Sequence, residues 1–388
     1  MHKHLNIGIV GTGFAAQLHL NAYRQMTGQD ICLYAICSKD DTLGETARAY
    51  NISHVYRDYD EMLADDNIDL IDIITPPFLH ADMVLKAIAR DKHVICEKPL
   101  TGYCAPAFDN LGRPVSRKLM YDKVLEQLDQ MERALKSYGH QFMYAENFVY
   151  APAVQKTVEF LRAKGSKVLL IKGEESHSGS HAAHAPYWEK NGGGSLIRQG
   201  CHPLSAALYL KDQEAAARSE DIRPAAVTAV AGMVTPSLKE EERTYIQARP
   251  LDVEDYSNVA IEFTDGTFAQ ILASDIIVGG VRNVMEVYTN EGCYVCNIAP
   301  NNGMAVYHES GDGLDGVYIT EKLRQNAGWQ QVFLEENLMR GYIGELQDFV
   351  DCAINNHAPK SGFRLASTSM KVIYAAYRSA QEQRRIVL

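Results

Sequence analysis

Short apolar runs alternate with amphipathic segments through the first third of the chain, the pattern left by strand, helix, strand units that build a parallel sheet. Strands are predicted at 5–10, 31–37, 70–74 and 93–96, with helices from Phe14 and over 43–50 and 81–90 between them. Irregularly spaced Gly102, Pro106, Gly112 and Pro114 make 101–115 a loop, and the helix that follows over 116–137 stops short of Gly139. A sixth strand precedes Glu146, and a helix covers 154–163. The period then shortens to two. Runs rich in β-formers at 167–174, 226–234, 257–264, 267–277, 284–288 and 294–298 are joined by turns such as Asp265-Gly266 and Glu291-Gly292. These imply a large, mainly antiparallel sheet with one open face, and helices at 342–354 and 367–381 that cover the other. The expected fold is α/β, with a parallel-sheet domain over 1–145 and an α+β domain over 146–388.

Composition narrows this picture without changing it. At 388 residues the chain exceeds what one hydrophobic core usually supports, and 46% hydrophobic with 22% charged residues is ordinary globular material. The formal charge of −11 opposes nucleic acid and anionic membrane surfaces as partners. No signal-like apolar core opens the sequence and no stretch is apolar enough to span a bilayer, so the expected compartment is the cytoplasm. The 8 cysteines are scattered, as thiols in a reducing compartment would be. Cys293 and Cys296 lie three apart on a predicted strand and so point to opposite faces, which disfavours both a redox pair and a metal site.

Chemistry first appears at Gly11-Thr12-Gly13-Phe14-Ala15-Ala16, which follows a strand and opens a helix. That context makes it a dinucleotide fingerprint of a Rossmann domain: Gly11 for the tight turn, Gly13 for approach to a pyrophosphate, and free helix amides beyond. The end of the second strand reads Cys37-Ser38-Lys39-Asp40. Ser38 and Lys39 suit a 2′-phosphate whereas Asp40 suits a ribose diol, so NAD and NADP both stay open. Thr75-Pro76-Pro77 with His80, and Glu97-Lys98-Pro99, stand at the carboxyl ends of the next strands, where such sheets bind ligands. A lysine there can hydrogen-bond a substrate hydroxyl and stabilise the oxygen charge that forms as a hydride departs. A solvated surface lysine is the plainer reading, and its place at a strand end weighs against that.

Taken together these stretches resemble the Gfo/Idh/MocA oxidoreductases, named for glucose-fructose oxidoreductase and inositol dehydrogenase. The likeness spans nearly the whole chain. It continues through His93-Val-Ile-Cys-Glu97-Lys98-Pro99-Leu100, Gly192-Gly-Gly-Ser-Leu-Ile-Arg198-Gln-Gly200-Cys-His202 and Tyr342-Ile-Gly-Glu-Leu-Gln-Asp-Phe349. The resemblance implies an N-terminal Rossmann domain, a C-terminal domain whose open sheet makes subunit contacts in a homodimer or homotetramer, and a small carbohydrate substrate. It implies a hydride taken from a ring hydroxyl of a sugar, glycoside (a glucoside carbon 3 among them) or cyclitol. It makes Lys98 the catalytic lysine and His202 the acid/base, and sugar-catabolic members favour NAD. Cofactor contacts then fall on Gly11 to Ala15, Ser38, Lys39, Thr75 to Pro77, His80, Glu97 and Lys98. Two other classes fit the same resemblance: an NAD-dependent glycosidase working by transient oxidation, and a non-enzymatic sensor, against which the presence of both Lys98 and His202 speaks.

The sequence departs from the family at one telling place. Members commonly carry an aspartate four residues before the histidine, and Arg198 stands there instead. Arginine takes up no proton and disfavours a charged imidazole nearby, so His202 is expected to be neutral and Arg198 to bind substrate oxygens. Asn147 and Tyr150 align with the stretch that lines the sugar pocket, with capping of the next helix as the competing role. His177, His181 and His184 cluster in a Ser- and Gly-containing loop without an acidic or thiolate ligand, so no metal is expected. His181 in that loop and Trp188 beside Tyr187 are further substrate candidates.

Overall fold

The computed structural model describes residues 4–180, 182–299, 304–308, 310, 327–332 and 335–388. Its first sheet contains β1 (Leu5–Val10), β2 (Ile31–Cys37), β3 (His54–Tyr56), β4 (Leu70–Ile73), β5 (His93–Glu97) and β6 (Phe142–Ala145). They pair in parallel in the order β3-β2-β1-β4-β5-β6, and the order reverses between β1 and β4. β4, β5 and β6 are buried along their whole length, as expected where helices cover both faces of a sheet. The hydrophobic pattern gave no sign of β3. It is a three-residue edge strand with two exposed positions, too short to show a period. The short helix Tyr59–Leu63 that follows was missed too, although Asp58 caps it by accepting from the amides of Asp60 and Glu61.

The second sheet has seven strands in the order β12-β11-β7-β10-β9-β8-β15. They are β7 (Val168–Ser176), β8 (Pro224–Gly232), β9 (Tyr256–Phe263), β10 (Phe268–Ser274), β11 (Arg282–Thr289), β12 (Cys293–Asn297) and β15 (Ile386–Val387). β13 (Met304–His308) and β14 (Gly328–Val332) form a separate antiparallel pair. Within the large sheet β7 and β10 run parallel and the other pairs antiparallel. Burial alternates strictly along β9 and β11, so one face is packed and one is open. Cys293 is exposed and Cys296 buried, on opposite faces of β12.

Helices Cys201–Arg218 and Phe363–Glu382 pack on the covered face. The first of these is buried without interruption from Cys201 to Lys211, so it carries no amphipathic stripe to mark its length. Lys211 is tolerated inside because Glu214, Asp265 and Thr267 all accept from its ammonium.

The end of the chain returns to the first sheet. Helix Tyr342–Asn355 lies on helix Phe14–Gln25, and helix Phe363–Glu382 lies on helix Arg117–Leu135. The Tyr374 hydroxyl accepts from the Tyr103 amide (2.6 Å) and donates to the Gly192 carbonyl (2.7 Å), tying the 101–115 loop to the glycine run. Phe349, fully buried, meets the Tyr150 ring edge-on at 5.4 Å. Phe349→Ala is expected to cost about 3–5 kcal/mol, read as a lower midpoint in denaturant unfolding with the slope unchanged.

Candidate active site

The turn after β1 is shaped by close approach. Gly11 has φ +119°, and a Cβ there would stand 2.4 Å from the Ile74 carbonyl oxygen, so only glycine fits beside the end of β4. A Cβ on Gly13 would meet nothing within 4 Å, and helix Phe14–Gln25 begins there with no side-chain cap. The free amides and the open space in front of Gly13 are what a pyrophosphate requires. Thr12 and Ser38 both donate to Asp40 Oδ2, at 2.9 and 3.0 Å, drawing that carboxylate over the glycine turn while Lys39 stays exposed. The residues therefore fit a dinucleotide.

At the next strand ends, His80 is fully buried, with Nδ1 2.8 Å from the Pro99 carbonyl and Nε2 2.7 Å from the Thr75 carbonyl. It buckles the two strand-end loops together rather than presenting itself to a ligand. Glu97 also turns inward. Its Oε1 lies 3.2 Å from His19 Nε2, and His19 Nδ1 lies 2.9 Å from Asp72. Burial opposes a charged imidazole at His19, yet Asp72 and Glu97 carry it well above its ordinary value. Of the Glu-Lys pair, Lys98 is the partly exposed member, and its ammonium donates to the Arg198 carbonyl at 2.8 Å.

The second half reaches that ammonium through the glycine run. A Cβ on Gly194 would fall 1.9 Å from the Glu254 carbonyl oxygen, and the Glu254 carboxylate accepts from the amides of Gly194 and Leu196 at 2.9 Å. A π-helical turn, Leu196–Gly200, then leads into helix Cys201–Arg218. In that turn the Arg198 guanidinium donates to Asp275. His202 follows, 5% exposed, with the Phe148 ring stacked at 5.0 Å and Nδ1 2.6 Å from Glu146 Oε1.

Electrostatics follow from this crowding. Burial, with the cations of Lys98 and Arg340, holds the His202 imidazole well below its usual range. The direction is the one expected from a neighbouring cation, but Arg198, neutralised by Asp275, is not its source. Burial pushes Glu146 well above the usual carboxylate range against the pull of Lys98. For Lys98, burial alone would lower the ammonium, but the acidic groups around it, Glu97, Glu175 and Glu146, raise the group. Lys98 is thus a cation, and a donor, throughout the neutral range. Ligand atoms of Glu146, Cys201 and His202 lie within 4.8 Å of one another, close enough to ligate an ion. Burial holds the Cys201 thiol well above its ordinary value and Lys98 adds positive charge beside it, so the trio suits a proton better than a dication.

Residues 5–112 match a family profile described as an oxidoreductase family with an NAD-binding Rossmann fold, and residues 167–295 match the GFO/IDH/MocA C-terminal domain. The chain belongs to the GFO/IDH/MocA oxidoreductases. Myo-inositol 2-dehydrogenase of Thermotoga maritima is 22% identical to it over 386 residues, 99% of this chain and 98% of that one. Levoglucosan dehydrogenase of Pseudarthrobacter phenanthrenivorans is 24% identical over 314 residues, 76% of this chain and 74% of its own. Among solved structures, GenD2 from gentamicin A biosynthesis in complex with NAD superposes with TM-score 0.80 at 23% identity, covering 100% of this chain and 97% of that one. Levoglucosan dehydrogenase in complex with NADH and levoglucosan superposes with TM-score 0.72 at 22% identity, covering 99% of both.

Several candidates in this GFO/IDH/MocA chain have other partners. Asn147 is buried and donates to the Arg340 carbonyl (2.8 Å). The Tyr150 hydroxyl donates to Asp348 (2.9 Å) and accepts from the Ser361 amide, so both residues lock the junction under His202 rather than face a pocket. Trp188 is 1% exposed, with the Arg117 guanidinium 3.7 Å over its ring, Tyr377 against it and its indole N–H donating to the Tyr103 carbonyl. It anchors the 101–115 loop and has no face free for a sugar, whereas Tyr187 beside it is exposed. His177 sits among Asp275 and Gln199, His184 bonds Asn191, and His181 lies outside the described residues. The reading missed Glu146, although an acid at the carboxyl end of the sixth strand satisfies the same rule that singled out Lys98.

Replacing Gly11 by Ala adds about 1–3 kcal/mol of backbone strain. Expressed in the bound state this weakens cofactor binding by roughly 5- to 160-fold, measurable by titration calorimetry with NAD.

Proposed function

We propose that this NAD(P)-dependent oxidoreductase oxidises a ring hydroxyl of a neutral sugar, glycoside or cyclitol, with Lys98 and His202 as its catalytic residues. One observation carries this: the Lys98 ammonium of the first half donates to the backbone of the turn that delivers His202 from the second. Bound nicotinamide supplies the hydride acceptor. Lys98 donates a hydrogen bond to the hydroxyl oxygen and stabilises its growing negative charge. His202 Nε2, which has no hydrogen-bond partner among the described residues, takes the hydroxyl proton. Burial of His202 keeps water from the imidazole and strengthens these contacts.

The substrate class rests on the charge balance and on the relatives. Because Asp275 pairs with Arg198, that guanidinium does not call for a carboxylate on the ring. Two of the relatives above are named for levoglucosan and myo-inositol, both uncharged polyols. Asp40, held over the glycine turn, favours a ribose diol and hence NAD. Cofactor binding belongs to 1–145, and 146–388 binds the substrate against Lys98 of the first half. Val230, Phe268 and Val295 share the open face of the second sheet and are exposed, which supports self-association into a dimer or tetramer. No described helix is long and apolar enough to cross a membrane, and a cytoplasmic location with no nucleic-acid partner accords with the net charge of −11.

A panel of sugars, glucosides and cyclitols with NAD and NADP, followed by the absorbance of reduced nicotinamide, tests the reading. Turnover with at least one is expected, and none in either direction would overturn it. Lys98→Ala should lower kcat by about 10²-fold or more while NAD still binds. Asp40→Ala should raise KM for NAD and lower it for NADP, a change in preference on the order of tenfold.

A further inference from the structure

We propose that Glu146 is the positioning carboxylate of His202, fixing its tautomer and sharing its titrating proton from the end of β6 rather than from the histidine's own helix. The inference rests on the reading of His202 as acid/base. The geometry is specific. Glu146 is wholly buried, its Oε1 is 2.6 Å from Nδ1, and its Oε2 has no hydrogen-bond partner among the described residues. Nothing lets it swing away. The turn Asn147–Tyr150 that follows is clamped through Asn147 to the Arg340 carbonyl and through Tyr150 to Asp348 and Ser361. Phe148 from the same turn stacks on the imidazole, so one short segment supplies both the carboxylate and the platform.

Proton bookkeeping shows what such a carboxylate does. With the hydrogen-bond proton on Nδ1 and Glu146 ionised, Nε2 keeps its lone pair and the pair carries one negative charge. When Nε2 takes the hydroxyl proton, the pair becomes neutral, so no net charge appears beside the cations that face it. Those cations are Lys98 and Arg340; Cys201 is held as a thiol, and Glu97 and Glu175 complete the charged surroundings of Glu146. Without Glu146 the same step would create an imidazolium among two cations in a buried site. At 2.6 Å the two groups share one hydrogen bond and therefore titrate as a unit. The carboxylate does for His202 what Arg198, at the position of the family's aspartate, cannot do.

The test is nitrogen NMR of histidine-labelled full-length protein without substrate, with His202 assigned by comparison with His202→Asn, together with pH profiles of the oxidation rate. In the wild type the deprotonated form should carry its proton on Nδ1. Glu146→Gln keeps an acceptor oxygen but loses the charge, so the tautomer persists, the acidic limb of kcat/KM moves to lower pH, and kcat falls roughly 10²-fold or more. Glu146→Ala should lose the Nδ1 preference as well. Identical His202 titration in the wild type and both variants, or a proton on Nε2 in the deprotonated wild type, would overturn the proposal, and the wild-type spectrum decides even where a variant fails to fold. If His202 titrates as expected but no sugar is turned over, the pairing stands and the proposed function falls. If turnover is present and the limb does not move, the pairing alone falls.

Discussion

Everything in this site hangs on one hydrogen bond between halves of the chain, from the Lys98 ammonium to the Arg198 carbonyl. Lys98 directly follows a buried parallel strand, and its backbone is gripped on both sides by the His80 buckle and the inward ion pair of Glu97 with His19. Arg198 lies in a π-helical turn whose wider spiral would be costly elsewhere. Asp275 and Glu254 pin that turn from the second sheet. The ammonium thus meets a carbonyl that can barely move, and the imidazole one turn later inherits that rigidity.

Rigidity is purchased with buried charge. Lys98 feels Glu97, Glu146 and Glu175, and His202 feels Lys98 and Arg340, in a region where an unpaired buried ion costs several kcal/mol. The arrangement survives because every cation faces carboxyl groups and because protons, rather than salt, balance the remainder. That balance also makes the site responsive to a proton leaving a substrate, since charge gained at one residue is taken up at the next.

Most of the architecture was readable from the residues alone. Period-two and fully apolar runs located the long strands to within a few positions, and the glycine turn, Lys98 and His202 were named from their places at strand ends and from family likeness. What stayed hidden has physical causes. β3 was too short to have a period, and helix Cys201–Arg218 is buried on every side from Cys201 to Lys211. Asn147, Tyr150 and Trp188 are polar or aromatic residues near the site, a description that fits binding and bracing equally well. Which one holds depends on partners such as Arg340, Asp348 and Arg117, distant in sequence and brought near only by the fold. Glu146 was overlooked for the same reason in reverse, because its partner lies 56 residues further along.

The return of the last helices onto the first sheet has a consequence for synthesis. All six parallel strands and helix Arg117–Leu135 leave the ribosome well before helices Tyr342–Asn355 and Phe363–Glu382, which shield them in the finished protein. Until those arrive, the flanks of helices Phe14–Gln25 and Arg117–Leu135 remain wet and sticky, a nascent state that favours association with holding chaperones. The nucleotide half is therefore the earliest part to take shape and among the last to be sealed.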